Sequence, residues 1–438
     1  PILLAILHCV GLFDRPASSD CLEALRAKPA IPGLTDALVD LSDDQWRRAA
    51  ARLREVRLLA PVDPSDREAL DDHPLVREWF GERLKQTNEA AWKAAHSRLY
   101  DHLRDTTHEG DRPTLAELAP LYHAVAHGCR AGRQEEALKA VYLPRIHRSG
   151  YSFIGLGAAG ANLAAVSWLF DAPYETPSAA LTTSDRAWVL SEASFALRAQ
   201  GRLQEALPVF RASLRVTLAD APVDWLNAAI RASNLSETEL ILGEISAAAA
   251  TAQMSVAYAD SSGDAFRALY NRTTQADALH AAGRRRESET LLAEAERRQR
   301  QWQARNPLLY SLQGYRCCDL LLAQQQAAAA LDRAGKTIVI ERRNHWVLNI
   351  ALDTLTLGRA HLVVASRRAA GRPPSKTESA AARAAGEKLD EAIEGLRASG
   401  EHVWIARGLI ARAAFRRAVG NSDDAARDLD EAQEVAEP

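Results

Sequence analysis

The chain has 438 residues, 47% of them hydrophobic and 25% charged, with a formal net charge of -3. This composition can fill a long continuous core and excludes a wholly disordered chain, and the near-neutral balance sets up no overall field directed at nucleic acid or an anionic membrane. Five cysteines without a paired CxxC spacing exclude a secreted disulfide framework and point to a reducing cytoplasm.

In chain order, the opening run PILLAILHCVGLF is about a dozen residues long, shorter than a bilayer span needs, and it has no basic leader. It predicts a buried helix over Leu3 to Phe13. A first residue of Pro1 rather than Met is expected of a fragment from a longer polypeptide. Helices are predicted over Ser19 to Arg26 and over Asp43 to Leu59. In the latter, Ser42 is the N-cap and Trp46, Ala49 or Ala50, Leu53 and Val56 recur at helical spacing to form the buried face. The segments LLAPVD and ALDDHP predict a small β wing, followed by a helix over Pro74 to Leu84.

The segments VGLFDRP (Val10 to Pro16), REVRLLAP (Arg54 to Pro61) and HPLVREWF (His73 to Phe80), with the helix around Trp46, resemble a known arrangement. They are similar to the winged-helix domain that follows the nucleotide-binding core in STAND NTPases, the NACHT and NB-ARC class of signalling ATPases. The resemblance covers roughly residues 1 to 110. In that family the His of a Met-His-Asp motif reaches the β-phosphate of the resting nucleotide. The corresponding positions here are Asp72, His73 and Pro74, so only the His is kept, and His73 is the implied nucleotide contact. The resemblance places ADP or ATP on a core upstream of Pro1. Independently, a His ahead of a Pro at the first helical position sits at a positive helix end, where an anion is favoured.

Residues 88 to 107 predict a helix with Trp92, Ala95, Leu99 and His102 or Leu103 on one face, and HEGDRP (His108 to Pro113) predicts a boundary. From Thr114 the pattern becomes helix, glycine turn, helix. Gly132 with Ala137 opens it, an aromatic insert interrupts it, and Gly201 with Ala206, Gly243 with Ala248, Gly283 with Ser288 and Gly420 with Ala425 continue it. Residues 308 to 342 fit one more repeat without a turn glycine, a long helical pair fits 346 to 398 interrupted by GRPPSK (Gly371 to Lys376), and a polar helix caps the C-terminal end. The pattern resembles tetratricopeptide repeats. The fold class is therefore all-α: a winged-helix domain with a small β wing (1–87), a linker helix and turn (88–113), a degenerate repeat (114–147), an irregular insert (148–185) and a tetratricopeptide-like α-solenoid superhelix (186–438).

Chemical motifs are sparse. Gly155, Gly157 and Gly160 spell GxGxxG, which marks a dinucleotide site only when a strand precedes it and a helix follows. His123 and His127 lie four apart near Cys129 without the carboxylate of a zinc hydrolase, and no metal site is assigned. No GxxxxGK[ST] or GxSxG is present, so no catalytic residues and no enzyme activity are expected of this chain itself. Arg47, Arg48, Arg52, Arg54 and Arg57 on the third helix offer a DNA-binding alternative, weighed against a solvated face balanced by Asp43, Asp44 and Glu55.

The remaining function class is recognition. With each turn glycine as the fifteenth repeat position, the groove-facing positions and their neighbours are Ser191, Phe195, Ser233, Asn234, Glu237, Asn271, Arg272, Thr273 and Asp277, the expected contacts for a protein or peptide ligand. The sequence thus reads as the cytoplasmic sensor region of a STAND-type ATPase, in bacterial immunity or transcriptional control, without a membrane partner and with oligomerisation on activation admitted. The alternatives are a DNA-binding winged-helix regulator with a dimerising or sensing repeat arm, and a stand-alone repeat scaffold.

Overall fold

The computed structural model describes residues 1–64, 66–366 and 375–436. The chain divides into two compact units, Pro1–Thr182 and Thr183–Pro438.

The first unit begins with α1 (Ile2–Val10), α2 (Ser19–Arg26) and α3 (Asp43–Glu55). Ser42 and Gln45 form a reciprocal capping box at the start of α3, satisfying two amides that the helix leaves orphaned. Trp46, Ala50 and Leu53 are buried. The helix stops four residues short of Leu59, because Arg57 takes a left-handed φ of 59° and Leu58 N–H turns back to the Leu53 carbonyl at 2.9 Å. Val56, expected inside, therefore lies beyond the helical face and is 52% exposed. The wing is smaller than expected: Ala17 and Leu70 exchange both backbone hydrogen bonds as an isolated antiparallel bridge, and Ala60 N–H donates to the Asp71 carbonyl at 2.9 Å. No strand forms among the described residues of 1–113.

Helix α4 (Pro74–Thr87) crosses the end of α1 backbone to backbone. A Cβ on Gly11 would meet Gly81 N at 2.5 Å, and a Cβ on Gly81 would run into the Gly11 carbonyl. Neither obstacle is a side chain that can swing aside, so Gly81→Ala is expected to lower the stability of this unit by about 1–3 kcal/mol through overpacking. The shift of its urea midpoint measures this, and an unchanged midpoint would mean that the crossing can open at no cost.

Helices α5 (Glu89–Thr106) and α6 (Leu115–Arg130) pack as an antiparallel pair, and after Gly132, at φ 82°, α7 (Gln134–Glu136) continues as a π-helical stretch, Ala137–His147. The irregular insert contains short helices α8 (Tyr151–Ile154) and α9 (Ala159–Ser167), then strands β1 (Phe170–Ala172) and β2 (Thr176–Pro177) in a small antiparallel hairpin. Gly155, Gly157 and Gly160 therefore follow a helix rather than a strand, which removes the structural context of a dinucleotide loop.

The second unit is a run of helix hairpins: α10 (Thr183–Ala199) with α11 (Leu203–Ala219), α12 (Trp225–Ile241) with α13 (Ile245–Ser262), α14 (Ala265–Ala281) with α15 (Arg285–Trp302), α16 (Ser311–Ala323) with α17 (Ala327–Asn344), α18 (Val347–Ala365) with α19 (Lys376–Ser399), and α20 (His402–Ala418) with α21 (Ser422–Ala436). It is an all-α repeat array. The turn glycines Gly201, Gly243, Gly283 and Gly420 have φ of 79°, 79°, 76° and 87°, the left-handed conformation that glycine adopts without a Cβ penalty. In the hairpin that lacks a turn glycine, Gln325 takes that place at φ 62°. The expected interruption at Gly371 to Pro374 lies outside the described residues.

Helix α18 is long and apolar enough to cross a membrane by length and composition. Here it packs as a core helix, with Ala351, Leu352 and Leu355 buried against Leu389, Ile393, Leu396 and Leu409. On another side it buries a pair of acids. Asp353 accepts the Thr337 hydroxyl at 2.8 Å, and Glu341 accepts the Ser311 amide at 2.7 Å. Burial pushes each carboxyl up to about 7, the neighbouring Glu341 charge adding to the rise of Asp353. Folded values above the unfolded ones mean stability that is complete below about pH 4 and lost as pH rises to about 7. Glu341→Gln is accordingly expected to gain about 2 kcal/mol over the parent at pH 8 and little at pH 4.5, read from urea unfolding at both pH values. A variant effect independent of pH would show that Glu341 is already ionised in the fold.

Candidate functional site

The first helices of successive hairpins in the second unit touch one another, α10 with α12, α12 with α14, α14 with α16, α16 with α18 and α18 with α20. They form the inner row of the array, and their shared face is polar. Glu237 on α12 is its centre. Its carboxylate accepts Arg316 Nη2 of α16 at 2.5 Å, Arg198 Nη1 of α10 at 3.3 Å and the Tyr270 hydroxyl of α14 at 3.1 Å. Arg316 also donates to Thr274 Oγ1 at 2.9 Å and Thr273 Oγ1 at 3.2 Å, with its Nε 3.5 Å from Asp277. One turn further along α16, Asp319 accepts Arg359 Nη2 of α18 at 2.6 Å and lies 3.8 Å from His280 Nδ1. Arg359 donates as well to the Tyr315 hydroxyl at 3.2 Å.

These charges lie in a low-dielectric cleft. Burial pushes the Glu237 carboxyl up, but Arg316, Arg198 and the Tyr270 hydroxyl outweigh it and hold it below the ordinary carboxylate value. Burial raises Asp277, helped by Asp319 and Glu237 and opposed by Arg316 and Arg407. It pushes the Tyr270 hydroxyl up to about 12. Glu401, just before α20, is raised by burial, with Arg198 opposing and Glu237 adding to the rise. The charges of Arg198 on α10 and Glu237 on α12 therefore reach Glu401 at the start of α20, and the polar row includes it. Four guanidinium groups (Arg198, Arg316, Arg359, Arg407) and four carboxyl groups (Glu237, Asp277, Asp319, Glu401) interleave along it.

The residues expected at the groove divide. Glu237 and Asp277 are in the polar row. Phe195 is half-buried on α10, with the Arg198 guanidinium 4.9 Å from its ring centroid, and Ser191 lies one turn earlier on the same helix. Asn234 is half-buried on α12, its carbonyl accepting the Thr238 hydroxyl at 2.9 Å. Four others present no surface. Ser233 and Thr273 are completely buried, the first in a 3.0 Å hydroxyl contact with Thr274 and the second beneath Arg316. Asn271 is a seam residue that donates to the Ala229 and Ser255 carbonyls, both at 3.0 Å. Arg272 faces the second helices, held by Asp260 of α13 and Glu294 of α15, each at 2.8 Å. The physical reason is helical rotation: a residue 100° round from a groove position points into the hairpin seam.

Asp319, Arg316 and Arg198 were not anticipated. Asp319 stands six residues before Gln325, as Glu237 stands six before Gly243 and Asp277 six before Gly283, so allowing a glutamine in the turn place would have found it. Arg198 and Arg316 occupy other registers and carry no repeat signal.

His73 caps α4, its Nδ1 accepting the Leu75 amide at 3.3 Å with Pro74 at the first helical position. The ring is exposed, and the preceding Asp72, which is buried, accepts the His73 amide at 2.6 Å. On α3, Arg47 pairs with Glu68 at 3.0 Å, Arg52 with Glu55 at 2.9 Å, and Arg54 donates to the Ala60 carbonyl. Three of the five arginines considered for DNA are thus already engaged. His127 Nδ1 lies 2.8 Å from His96 Nδ1, and burial lowers His127 to about 3 and His123 to about 4.

The chain matches no family model and no curated protein. Among solved structures, it resembles a signal transduction ATPase with numerous domains (STAND) carrying a tetratricopeptide repeat sensor from Pyrococcus horikoshii, with 13% identity, a TM-score of 0.39, 99% of this chain covered and 62% of the other. It also resembles aspartyl phosphate phosphatase F from Bacillus subtilis, with 10% identity, a TM-score of 0.46 and coverages of 99% and 94%. A Rap protein complexed with competence and sporulation factor matches with 11% identity, a TM-score of 0.45 and coverages of 81% and 95%. This chain thus spans less than two thirds of the STAND protein's length. Likenesses of this size assign no ligand, and the repeat architecture rests on the helix pairing described above.

Proposed function

We propose that this chain is the regulatory and sensor region of a STAND-type signalling ATPase, cytoplasmic and without catalytic activity of its own, in which the repeat groove takes a protein or peptide trigger. The observation that carries the recognition role is the interleaved row of charges on the inner helices. Buried ion pairs are expensive and contribute little net stability, whereas fixed donors and acceptors along a groove suit an extended segment with its own backbone and charged groups. The switch role is supported by the segments around Val10 to Pro16 and His73 to Phe80 and by the order of the first unit: three helices, a bridge joining residues 17 and 70, and a helix capped by His73. That order is compatible with a winged helix whose wing is minimal. In the resting state His73 would hold the β-phosphate of ADP on the upstream core, and a trigger that binds the open arrangement more tightly would shift the population away from it.

The test uses the longer polypeptide encoded by the reading frame that includes Pro1. It is expected to purify with ADP, and His73→Ala to shorten the retention of labelled ADP in a chase by roughly tenfold, the loss of one charge-assisted hydrogen bond. Absence of nucleotide from the parent would reject the switch role, and unchanged retention in the variant would remove His73 from it.

A further inference from the structure

In the first unit, the fold brings together three metal-ligating side chains that are far apart in sequence. Asp20 and Cys21 are neighbours at the start of α2, and His102 lies on α5, 82 residues beyond Asp20. The Asp20 carboxylate, the Cys21 sulfur and a His102 ring nitrogen lie within 4.8 Å of one another, and His102 Nε2 is 2.9 Å from Asp20 Oδ2. A tetrahedral zinc site with ordinary bond lengths sets its ligand atoms roughly 3.3–3.8 Å apart, so the three groups reach that geometry by small side-chain movements, with the proton between Asp20 and His102 replaced by the cation. Ser18 lies close to both Asp20 and Cys21 and favours the charged form of each, opposing the effect of burial.

The cavity beside the donor set gives it space, and Asp14 offsets Arg15 there, so that Arg130 is the cation the site faces. Ser18, Asp20 and Cys21 form one wall of a cavity of about 520 Å³, whose other walls include Phe13, Thr106 and His123. A cation held from that wall has room for a solvent ligand on its open side. A thiolate and a carboxylate neutralise a divalent cation, and the imidazole adds a neutral donor; this mixed sulfur, nitrogen and oxygen set selects a borderline ion over Mg²⁺ or Ca²⁺. We propose that Asp20, Cys21 and His102 bind Zn²⁺ with three protein ligands and an open fourth position toward the cavity. Binding releases the Cys21 thiol proton to solvent and forms a Zn–S bond with no change in oxidation state, and it clamps α2 to α5.

The test uses the whole chain, stripped with a chelator and titrated with Co²⁺ and, by competition with a chromophoric chelator, with Zn²⁺. Expected are one equivalent of each ion, a thiolate-to-cobalt charge-transfer band, tighter binding at higher pH as the thiol proton is displaced, and a rise in the melting temperature with Zn²⁺. Cys21→Ser should abolish the band, and His102→Gln should weaken binding by more than tenfold. Because Cys21 is buried, the exposed Asp20→Asn serves as the variant whose folding is least at risk, and it too should weaken binding by at least tenfold with its circular dichroism unchanged. A parent chain that binds neither ion, a band that persists in Cys21→Ser, or an affinity unmoved in both His102→Gln and Asp20→Asn would overturn the site.

Discussion

Arg316→Ala is expected to destabilise the repeat unit by about 3–5 kcal/mol, the cost of removing one member of a buried charge network. Arg316 is 4% exposed, and its guanidinium ties α16 to α12 through Glu237 and to α14 through Thr273, Thr274 and Asp277. Without it, Glu237 keeps Arg198 at 3.3 Å and the Tyr270 and Thr274 hydroxyls at 3.1 and 3.4 Å in a site whose burial already disfavours its charge. Urea unfolding at pH 7 measures the loss. Replacing both partners, Arg316→Met with Glu237→Leu, should recover part of it, since no charge is left at 237 to face an empty site, while Arg198 and Asp277 each lose a partner. That recovery would show that this ion pair adds little net stability to the fold. A loss below about 1 kcal/mol in Arg316→Ala would mean that water already solvates the pair, as at an exposed salt bridge.

Phe210→Ala should cost a similar amount for a different reason. Phe210 is completely buried on α11, in the seam between α10 and α11, with the Arg198 guanidinium 5.7 Å from its ring. Truncation removes the ring's transfer energy and leaves a void in a rigid hairpin, about 3–5 kcal/mol. In a repeat array this loss is local, so amides of α10 and α11 should exchange faster while those of α20 and α21 keep their protection. Uniform acceleration along the unit would show that its hairpins unfold as one body.

The repeat architecture was legible because its signals are local and redundant. A glycine at positive φ and a small residue five places later recur at Gly201, Gly243, Gly283 and Gly420, and each fixes one turn and one close helix approach. The groove was half legible. Position counting places Glu237 and Asp277 in it, yet it also selects Asn271 and Arg272, because adjacent positions on a helix differ by 100° and their facing depends on how the next hairpin packs. Asp319 escaped notice because Gln325 occupies the left-handed turn position that the other hairpins give to glycine. The partners of Arg198 and Arg316 could not be read at all: Arg316 is 79 residues from Glu237, and only the stacking of α12, α14 and α16 brings them together. The same holds for Asp20, Cys21 and His102. In the first unit, the capping box at Ser42 is written in four consecutive residues, whereas the early end of α3 depends on Arg57 taking an unfavourable φ.

Recognition by the groove is tested most directly by a photo-crosslinking amino acid placed at Phe195 in the protein expressed in its native cell, compared with the same group at Arg286, an exposed position on α15. A discrete protein or peptide adduct from position 195, absent from 286 and diminished by Asp277→Asn, is the predicted result. Adducts from position 286 alone, or none from 195 under conditions that activate the protein, would contradict a ligand in the groove.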